Sequence, residues 1–268
     1  MIFYLSGTGN TKWAAESLAR LTGEQLVDIF KVDDNDMNYS LAPNERIGFC
    51  FPVHGWRPPL FLRKFISRLK LQDSDKHYCY AVCTAGDNIG ETIDILKKDL
   101  SRQGITLDSA FSLIMPESYV GLPFMDVDTQ DNERLKKEKA EQELAEYGKL
   151  IINREKDVWR LTIGKWPRVN SRLLGGFFTD YLITDKRFHV DKSRCISCGI
   201  CSKVCPVENI VINDNKYPQW QHNGSCLTCF SCYHHCPVHA IEFGRMTRHK
   251  GQYYFNKNEK AKNESSGR

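Results

Sequence analysis

The 268-residue sequence contains no uninterrupted apolar run of roughly 18 residues, the length that a membrane-spanning helix requires. The apolar run at residues 1–5 is also far too short for the core of a secretory signal peptide, and no charged region precedes it. From these two absences we expect a cytoplasmic protein without a membrane span.

A strong charge of one sign is missing as well. The formal net charge is +4, which is too weak to indicate nucleic-acid binding, so no nucleic-acid partner is predicted. Much of the positive excess follows Phe243, and residues 246–268 are predicted to form a basic, solvated C-terminal tail.

Two common nucleotide-binding motifs are also missing. The sequence has no G-x-x-x-x-G-K-[ST] run, which a Walker phosphate loop requires. Gly7 and Gly9 are followed by Lys12, where the G-x-G-x-x-G dinucleotide fingerprint has a third glycine. With no separate NAD(P)H-binding domain visible, direct use of a nicotinamide is not expected.

Short apolar runs alternate with helical patterns over residues 1–115. The strand candidates are 1–5, 25–31, 46–51, 77–83 and 105–115, and the helix candidates are 10–21, 58–69, 87–103 and, further on, 130–152. Such alternation predicts a parallel sheet with helices on both faces and right-handed crossovers. Five strands at this spacing predict an α/β fold with a flavodoxin-like, five-stranded, doubly wound parallel sheet.

Cysteine is abundant: the chain has 11, of which eight lie between Cys195 and Cys236. Disulfides are not expected in a reducing cytosol. The other three cysteines, Cys50, Cys79 and Cys83, lie in apolar runs and are predicted to be ordinary core residues.

The eight clustered cysteines form two copies of the pattern C-x2-C-x2-C-x3-C-P, offset by 31 residues. In such runs the three closely spaced thiolates wrap one iron–sulfur cluster, and the fourth cysteine ligates the other cluster. One [4Fe-4S] cluster is therefore predicted on Cys195, Cys198, Cys201 and Cys236, and a second on Cys205, Cys226, Cys229 and Cys232.

Zinc is the competing interpretation of a cysteine array. Structural zinc sites generally use paired C-x2-C knuckles and four ligands, whereas this array consists of two triplets and two single cysteines, which favours iron–sulfur. Residues 187–243 resemble a bacterial-type two-cluster ferredoxin, a resemblance that implies a small α+β domain. One departure is Phe230, which stands where the first copy has Gly199. This bulky side chain is expected to shield the second cluster from water.

A loop of alternating glycine and hydroxyl residues follows the first predicted strand. It consists of Ser6, Gly7, Thr8, Gly9, Asn10 and Thr11. Because a helix is predicted to begin there, backbone N–H groups and the helix dipole favour a phosphate at this loop. The spacing resembles the FMN phosphate loop of flavodoxins, S/T-x-T-x-x-T.

Two later loops follow the third and fourth predicted strands, at the sheet edge where ligands of such folds bind. They are Pro52, Val53, His54, Gly55 and Trp56, and Thr84, Ala85, Gly86, Asp87 and Asn88. Each matches a flavodoxin isoalloxazine loop in position, so Trp56 is expected to flank the flavin ring. The competing structural roles are a core cap for Trp56 and a helix N-cap for Asp87.

The whole pattern is similar to flavodoxin–ferredoxin fusion proteins. The resemblance implies a flavodoxin-like FMN-binding domain at 1–152 and a two-cluster ferredoxin domain at 187–245. Between them, residues 153–186 are rich in aromatic and apolar side chains and are predicted to form an ordered bridge.

Three functions fit these modules. The first is an electron relay between two [4Fe-4S] clusters, FMN and a redox partner such as a ferredoxin, a flavodoxin or a reductase. The second is a flavin-dependent reductase of a small substrate, with His54 and Tyr119 as candidate proton donors and residues 116–128 as a cover for the flavin. The third is a non-catalytic redox-sensing module.

Overall fold

The computed structural model describes residues 1–33, 37–214 and 216–257, and the chain divides into two compact units. The first unit comprises Met1–Ser6, Thr11–Pro116 and Gln130–Leu182. The second comprises Gly7–Asn10, Glu117–Thr129 and the described residues from Ile183 onward.

The first unit is built on a parallel sheet. Its strands are β1 Ile2–Tyr4, β2 Leu26–Asp28, β3 Asn38–Tyr39, β4 Ile47–Pro52, β5 Lys70–Leu71, β6 Cys79–Ala85, β7 Ser109–Ile114 and β8 Val158–Arg160. Six of them form one sheet in the order β2-β1-β4-β6-β7-β8, while β3 pairs with β5. Because β2 and β4 flank β1, the strand order reverses there, and the carboxyl ends of β1 and β4 meet at the switch point.

The doubly wound parallel sheet confirms the predicted fold class, but it has six strands, not five. The sixth strand, β8, pairs in parallel with β7 through Ser109 and Val158. It lies within the segment predicted as a bridge, so residues 158–160 are part of the sheet.

Helices cover both faces of the sheet. They are α1 Asn10–Thr22, α2 Leu60–Ile66, α3 Thr92–Ser101 and α4 Gln130–Ile152, with a 3-10 turn at Ser74–Lys76. Phe49 and Phe51 pack in one core with side chains of α2 and α3. On the other face, the Phe111 ring of β7 stacks on Tyr147 of α4 with centroids 4.7 Å apart.

Helix α3 begins at Thr92, five residues later than predicted, whereas α4 has the predicted bounds. The reason is a backbone pairing just before α3. The N–H groups of Ile89 and Gly90 donate to the carbonyls of Thr162 and Ile163, at 3.0 and 3.1 Å. Gly90 has a φ of +53°, which a helix does not accommodate.

Residues 167–182 form a helical segment of the first unit. Two short α-helical turns, α5 Pro167–Val169 and α6 Gly175–Phe177, alternate with π-helical turns at Asn170–Leu174 and Phe178–Leu182. The Ser171 side chain is fully buried, and its Oγ accepts a hydrogen bond from the Glu91 N–H at 2.8 Å. The segment is therefore fixed to the start of α3.

The described residues of the second unit form two two-stranded antiparallel sheets and two short helices. The elements are β9 Phe188–Val190, α7 Ile200–Lys203, β10 Ile210–Ile212, β11 Pro218–Trp220, α8 Ser231–His234 and β12 Ile241–Phe243. Strand β9 pairs antiparallel with β12, and β10 with β11. Helices α7 and α8 are offset by the same 31 residues as the cysteine pattern, so the sequence repeat is also a structural repeat.

Part of the predicted solvated tail is buried in the second unit, so that prediction is wrong for these residues. The Thr247 hydroxyl donates to the Glu242 carboxylate at 2.5 Å, and Thr247 is fully buried. The Tyr253 hydroxyl donates to Oδ1 of Asn10 at 2.6 Å. Residues 258–268 of the predicted tail lie outside the described residues.

Across the three described stretches of chain, every helix falls short of the length or the apolar character needed to cross a membrane.

Candidate functional site

The two cysteine loops share an unusual backbone conformation. Three pairs of residues 31 positions apart have left-handed φ angles: Ser197 (57°) and Thr228 (49°), Gly199 (71°) and Phe230 (57°), and Glu208 (50°) and His239 (50°). Such angles are uncommon for residues other than glycine, and they persist where the surrounding structure fixes the loop. The repeat therefore extends to the backbone that carries the thiols.

Four cysteines meet in one part of the second unit: Cys195, Cys198, Cys201 and Cys236. All four line one cavity, together with apolar side chains such as Ile241. Burial, and then the charges of the other three thiolates, raise the pKa of the Cys201 thiol to about 11. The fourth cysteine of the second copy thus lies with the first three of the first copy.

The other four cysteines also meet. Burial, and then the charges of Cys226 and Cys205, raise the pKa of the Cys229 thiol to about 12. Burial and the charges of Cys229, Cys226 and Cys205 raise the pKa of Cys232 well above its usual range, and Cys201 contributes last. Cys201, Cys232 and Cys236 pack in the same hydrophobic core, so the two groups of four are neighbours.

Backbone amides hydrogen-bond to three of the sulfurs. The Asn209 N–H donates to Sγ of Cys205 at 3.3 Å, and the Ala240 N–H donates to Sγ of Cys236 at 3.1 Å. These two bonds are related by the 31-residue repeat, while a third runs from the Thr228 N–H to Cys226 at 3.4 Å. Hydrogen bonds to cluster sulfurs are one determinant of cluster potential.

The donor chemistry of both groups fits iron–sulfur clusters. Several buried thiolates at close range repel one another and are desolvated, so they ionise together only when a cationic group compensates them. Iron supplies that compensation and prefers thiolate ligands. Each group of four, with its amide donors, could therefore hold one cluster.

Phe230 occupies the centre of an aromatic cluster beside the second group of cysteines. Its ring lies 5.3 Å from Tyr119, 5.2 Å from Phe188 and 5.1 Å from Phe243, measured between centroids. The side chain is 1% exposed. Phe230 and Cys232 pack in the same core, while shielding of a cluster from water stays a prediction.

Replacing Phe230 by alanine is expected to destabilise the second unit by about 3–5 kcal/mol, because a large buried ring leaves a cavity. The second cluster is also expected to bleach faster in air as water enters. Urea unfolding and the loss of cluster absorbance measure the two effects. A matched control is Trp220→Ala. The Trp220 ring stacks on Phe188 and is not one of the three rings packed around Phe230. This variant should also lower the free energy of unfolding, but the second cluster should not bleach faster than the first.

The predicted phosphate loop has its middle residues in the second unit and its ends in the first. Within the second unit, a Cβ placed on Gly7 would lie 2.8 Å from Cβ of Cys229. A Cβ placed on Gly9 would lie 2.8 Å from Cβ of Phe255, whose N–H donates to the Thr8 carbonyl at 2.8 Å. Close packing thus favours glycine at both positions, and at Gly9 the φ of +102° favours it as well.

Within the first unit, the predicted flavin loops lie at the carboxyl ends of their strands, and two of them touch. The Thr11 hydroxyl at the start of α1 lies 2.8 Å from the Thr84 hydroxyl at the end of β6. Lys136 of α4 donates to the Gly86 carbonyl at 2.9 Å. The first turn of α1 contains no acidic residue that would repel a phosphate.

The loop after β4 is a tight turn. The N–H of His54 donates to the Arg57 carbonyl at 3.0 Å, and the Arg57 N–H donates back at 3.2 Å. Gly55 and Trp56 between them have φ angles of +55° and +58°, as in a two-residue turn of type I′. Side chains of the 167–182 segment cover this turn, since a Cβ on Gly55 would meet the Phe178 ring at 2.8 Å.

Two buried polar atoms in these loops lack a hydrogen-bond partner within the described chain: Nε of Arg57 and Oδ1 of Asn88. Buried polar groups are nearly always paired, so an orphan of this kind calls for a missing partner. A flavin ring presents both donors and acceptors along its edge. The residues at the carboxyl edge of the sheet therefore fit a flavin.

The two candidate proton donors do not share a unit: His54 belongs to the first and Tyr119 to the second. Burial lowers the pKa of His54 to about 4, so its imidazole is neutral at neutral pH. Burial raises the pKa of Tyr119 to about 12, and its ring packs edge-on against Phe230.

The loop predicted to cover the flavin, 116–128, is held almost entirely by the second unit. His234 Nε2 lies 2.7 Å from the Ser118 carbonyl, and Nδ1 of the same ring accepts from the Tyr253 N–H at 3.1 Å. The Lys250 ammonium donates to three carbonyls of the loop, among them that of Val120 at 3.0 Å.

Several site residues escaped the sequence interpretation. Arg57 directly follows Trp56 in the predicted loop, but the sequence predicts no role for its side chain. The contacts of Tyr253 and Phe255 with the phosphate loop had no local signal, since they join positions more than 240 residues apart in the chain.

Comparison with known proteins divides the chain in the same way. Residues 1–117 match the family model of a flavodoxin domain, and residues 187–237 match that of a 4Fe-4S dicluster domain. These matches support flavin and iron–sulfur cofactors and a role in electron transfer or redox chemistry.

Individual relatives cover parts of the chain. A ferredoxin from Pyrobaculum islandicum is 36% identical over 58 residues, which cover 21% of this chain and 51% of the ferredoxin. NAD(P)H-quinone oxidoreductase subunit I from Gloeobacter violaceus is 28% identical over 65 residues, covering 20% of this chain and 31% of that protein. The chain thus spans about half or less of these relatives. The solved structure of Streptococcus pneumonia TIGR4 flavodoxin, 15% identical with a TM-score of 0.31, covers 55% of this chain and 97% of that chain.

Proposed function

We propose that this chain, which joins a flavodoxin domain to a 4Fe-4S dicluster domain, relays electrons between two [4Fe-4S] clusters, FMN and a redox partner protein. The observation that carries the proposal is that the eight clustered cysteines meet in two groups of four within the second unit. Within the first unit, the loops at the carboxyl edge of the sheet are compatible with a flavin.

The ligand sets of the proposed clusters cross between the two copies of the motif. Cys195, Cys198 and Cys201 would bind the first cluster together with Cys236, and Cys226, Cys229 and Cys232 would bind the second together with Cys205. The cavity shared by the first set supports this assignment. Crossed ligands keep two clusters close, which favours rapid electron exchange between them.

For FMN, we propose that the loop from Ser6 to Thr11 holds the phosphate and that the two later loops hold the ring. FMN supplies the conversion between one-electron and two-electron chemistry. The loop offers hydroxyls and backbone N–H groups at the start of the 13-residue helix α1. Arg57 and Asn88 would pair their orphan atoms with the ring edge, and Trp56 would flank its face.

The second cluster is the one that we expect to exchange electrons with the flavin. Gly7 of the proposed phosphate loop packs against Cys229, a proposed ligand of that cluster. Direct packing shortens the path that an electron has to cross. The first cluster would then exchange electrons through the second.

A reductase is the weaker candidate, because the structure offers no charged acid among its proposed donors at neutral pH. With its pKa lowered to about 4, His54 carries no proton to donate from an imidazolium. The Tyr119 phenol, whose pKa burial raises to about 12, keeps its proton and is the remaining candidate donor. We therefore favour electron transfer to a partner protein over reduction of a small substrate.

Anaerobic purification followed by chemical analysis tests the proposed cofactors. The relay requires about eight iron and about eight inorganic sulfide atoms per chain, the content of two [4Fe-4S] clusters. It also requires one flavin, which should be identified as FMN by chromatography after extraction. A protein with zinc in place of iron, or with clusters but no affinity for added FMN, would contradict the proposal.

A further inference from the structure

The helical segment 167–182 and the residues just before it carry a row of exposed large apolar side chains, which we call the apolar stripe. It consists of Trp166, Val169, Leu173, Phe177 and Tyr181, exposed by 74%, 48%, 69%, 56% and 69%. Their spacing of three or four residues places them along one side of the segment. A contiguous exposed patch of this kind is typical of an interaction surface.

The opposite side of the same segment is firmly packed in the first unit. Ser171 is fully buried, and the Arg172 guanidinium pairs with both carboxylate oxygens of Glu91, each at 2.8 Å. The inward-facing Phe178 ring lies against Gly55. The segment that carries the stripe is therefore fixed to the first unit, and its apolar side chains are exposed on an ordered backbone.

The charges around the stripe favour an acidic partner. Residues 165–182 contain three basic side chains, Lys165, Arg168 and Arg172, and a single acid, Asp180. Arg172 is neutralised by Glu91. Lys165 and Arg168 are exposed beside Trp166 and take part in no ion pair with the residues that the structure describes. An apolar centre with a basic rim is complementary to an apolar centre with an acidic rim.

We propose that the apolar stripe docks an acidic, ferredoxin-like redox protein that exchanges electrons with the flavin; this inference rests on the proposed function. We infer a redox protein because of where the segment lies in the first unit. The segment covers the turn at Gly55 and Trp56, the loop that we assign to the flavin. A partner seated on the stripe would lie beside that loop.

Two other occupants fit the observations less well. A second copy of the chain would bring Lys165 and Arg168 of both copies to one two-fold contact, where like charges repel. An anionic lipid surface would match the apolar and basic side chains. Binding to a lipid surface would not explain why the segment covers the proposed flavin loop.

A binding experiment on the cofactor-loaded protein tests the stripe. The probe is an acidic bacterial two-cluster ferredoxin, the variant is Leu173→Ser with Phe177→Ser, and the method is calorimetry under anaerobic conditions at two ionic strengths. Loss of two central apolar contacts is expected to weaken binding about tenfold or more. Affinity of the unmodified protein should also fall as salt rises.

A matched control is Ile152→Ser at the end of α4. Ile152 is likewise exposed, at 40%, and its carbonyl accepts a hydrogen bond from Arg46, which precedes β4, so it lies at the edge of the sheet opposite to the flavin loops. It should bind the ferredoxin as the unmodified protein does. Equal binding by the stripe variant and the control would overturn the inference. Stripe-dependent flotation with phosphatidylglycerol vesicles, or a stripe-dependent dimer in sedimentation, without ferredoxin binding would overturn it in favour of lipid or a second copy.

The flavin and iron contents of the stripe variant separate this inference from the proposed function. Both contents, and electron transfer within the chain, should be unchanged when docking alone is lost. An unmodified protein that holds no flavin would defeat the proposed function itself.

Discussion

Replacing Cys236 by alanine is expected to remove the cluster that is bound by the first copy of the motif, not the one bound by its own copy. The Cys236 thiol lies with Cys195, Cys198 and Cys201 around one cavity. Iron is expected to fall from about eight to about four atoms per chain, because the remaining three thiolates cannot hold a complete cluster stably. Iron analysis and low-temperature electron paramagnetic resonance measure the loss.

Double variants test the crossed assignment of cysteine ligands to the two clusters. If Cys236 and Cys195 serve the same cluster, combining Cys236→Ala with Cys195→Ala should remove no more iron than either change alone. Combining Cys236→Ala with Cys226→Ala should remove both clusters. The opposite pattern would contradict crossed ligation.

Cys50→Ala is the matched control for the cysteine variants. The Cys50 thiol is 1% exposed, and burial together with the nearby Cys83 raises its pKa far above the usual range. Cys50 lies in β4 in the first unit, outside both groups of four cysteines, so it is expected to be a core group and not a metal ligand. The control should therefore keep the full iron content, as predicted for all three cysteines of the sheet.

Substituting Gly9 by alanine is expected to weaken FMN binding by about 10- to 100-fold. Gly9 has a φ of +102°, and its new Cβ would lie 2.8 Å from Cβ of Phe255. Strain of this kind costs about 1–3 kcal/mol, and each 1.4 kcal/mol is about tenfold in affinity. Quenching of FMN fluorescence on titration with flavin-free protein gives the dissociation constant.

Gly23→Ala separates conformational strain from loss of the proposed phosphate site. Gly23 also has a left-handed φ, +75°, but a Cβ there would meet nothing within 4 Å. It should lower the free energy of unfolding by about 1 kcal/mol and leave FMN affinity unchanged. Equal FMN affinities for Gly9→Ala and Gly23→Ala would show that the loop does not hold the flavin.

Elements with a long, regular pattern could be predicted from the sequence. Helix α4 has the predicted bounds, because it is dense in Glu and Lys, which favour helix, and its buried residues Ala140, Leu144, Tyr147 and Ile151 recur every three or four positions. Strand β8 has only three residues, too few to show an alternating pattern, so the sequence alone predicts an aromatic bridge there. Its place is decided by the exposed edge of β7, which a local pattern does not reveal.

The cluster site could be predicted more fully than the flavin site. Cluster ligation depends on cysteine spacing along the chain, which is visible in the sequence. The flavin loops depend on where distant segments pack. The burial of Tyr253 and the cover that Phe178 forms over Gly55 result from tertiary contacts, and neither segment carries a motif of its own.

The most direct test of the relay is anaerobic flash reduction of the cofactor-loaded protein, with cluster and flavin absorbance followed separately. The relay predicts that reduced clusters pass electrons to the flavin in a first-order step whose rate does not depend on protein concentration. A cluster-free Cys195→Ala, Cys226→Ala variant loaded with FMN should lack that step. A rate that rises with protein concentration, or flavin reduction that is unchanged without the clusters, would contradict electron transfer within the chain.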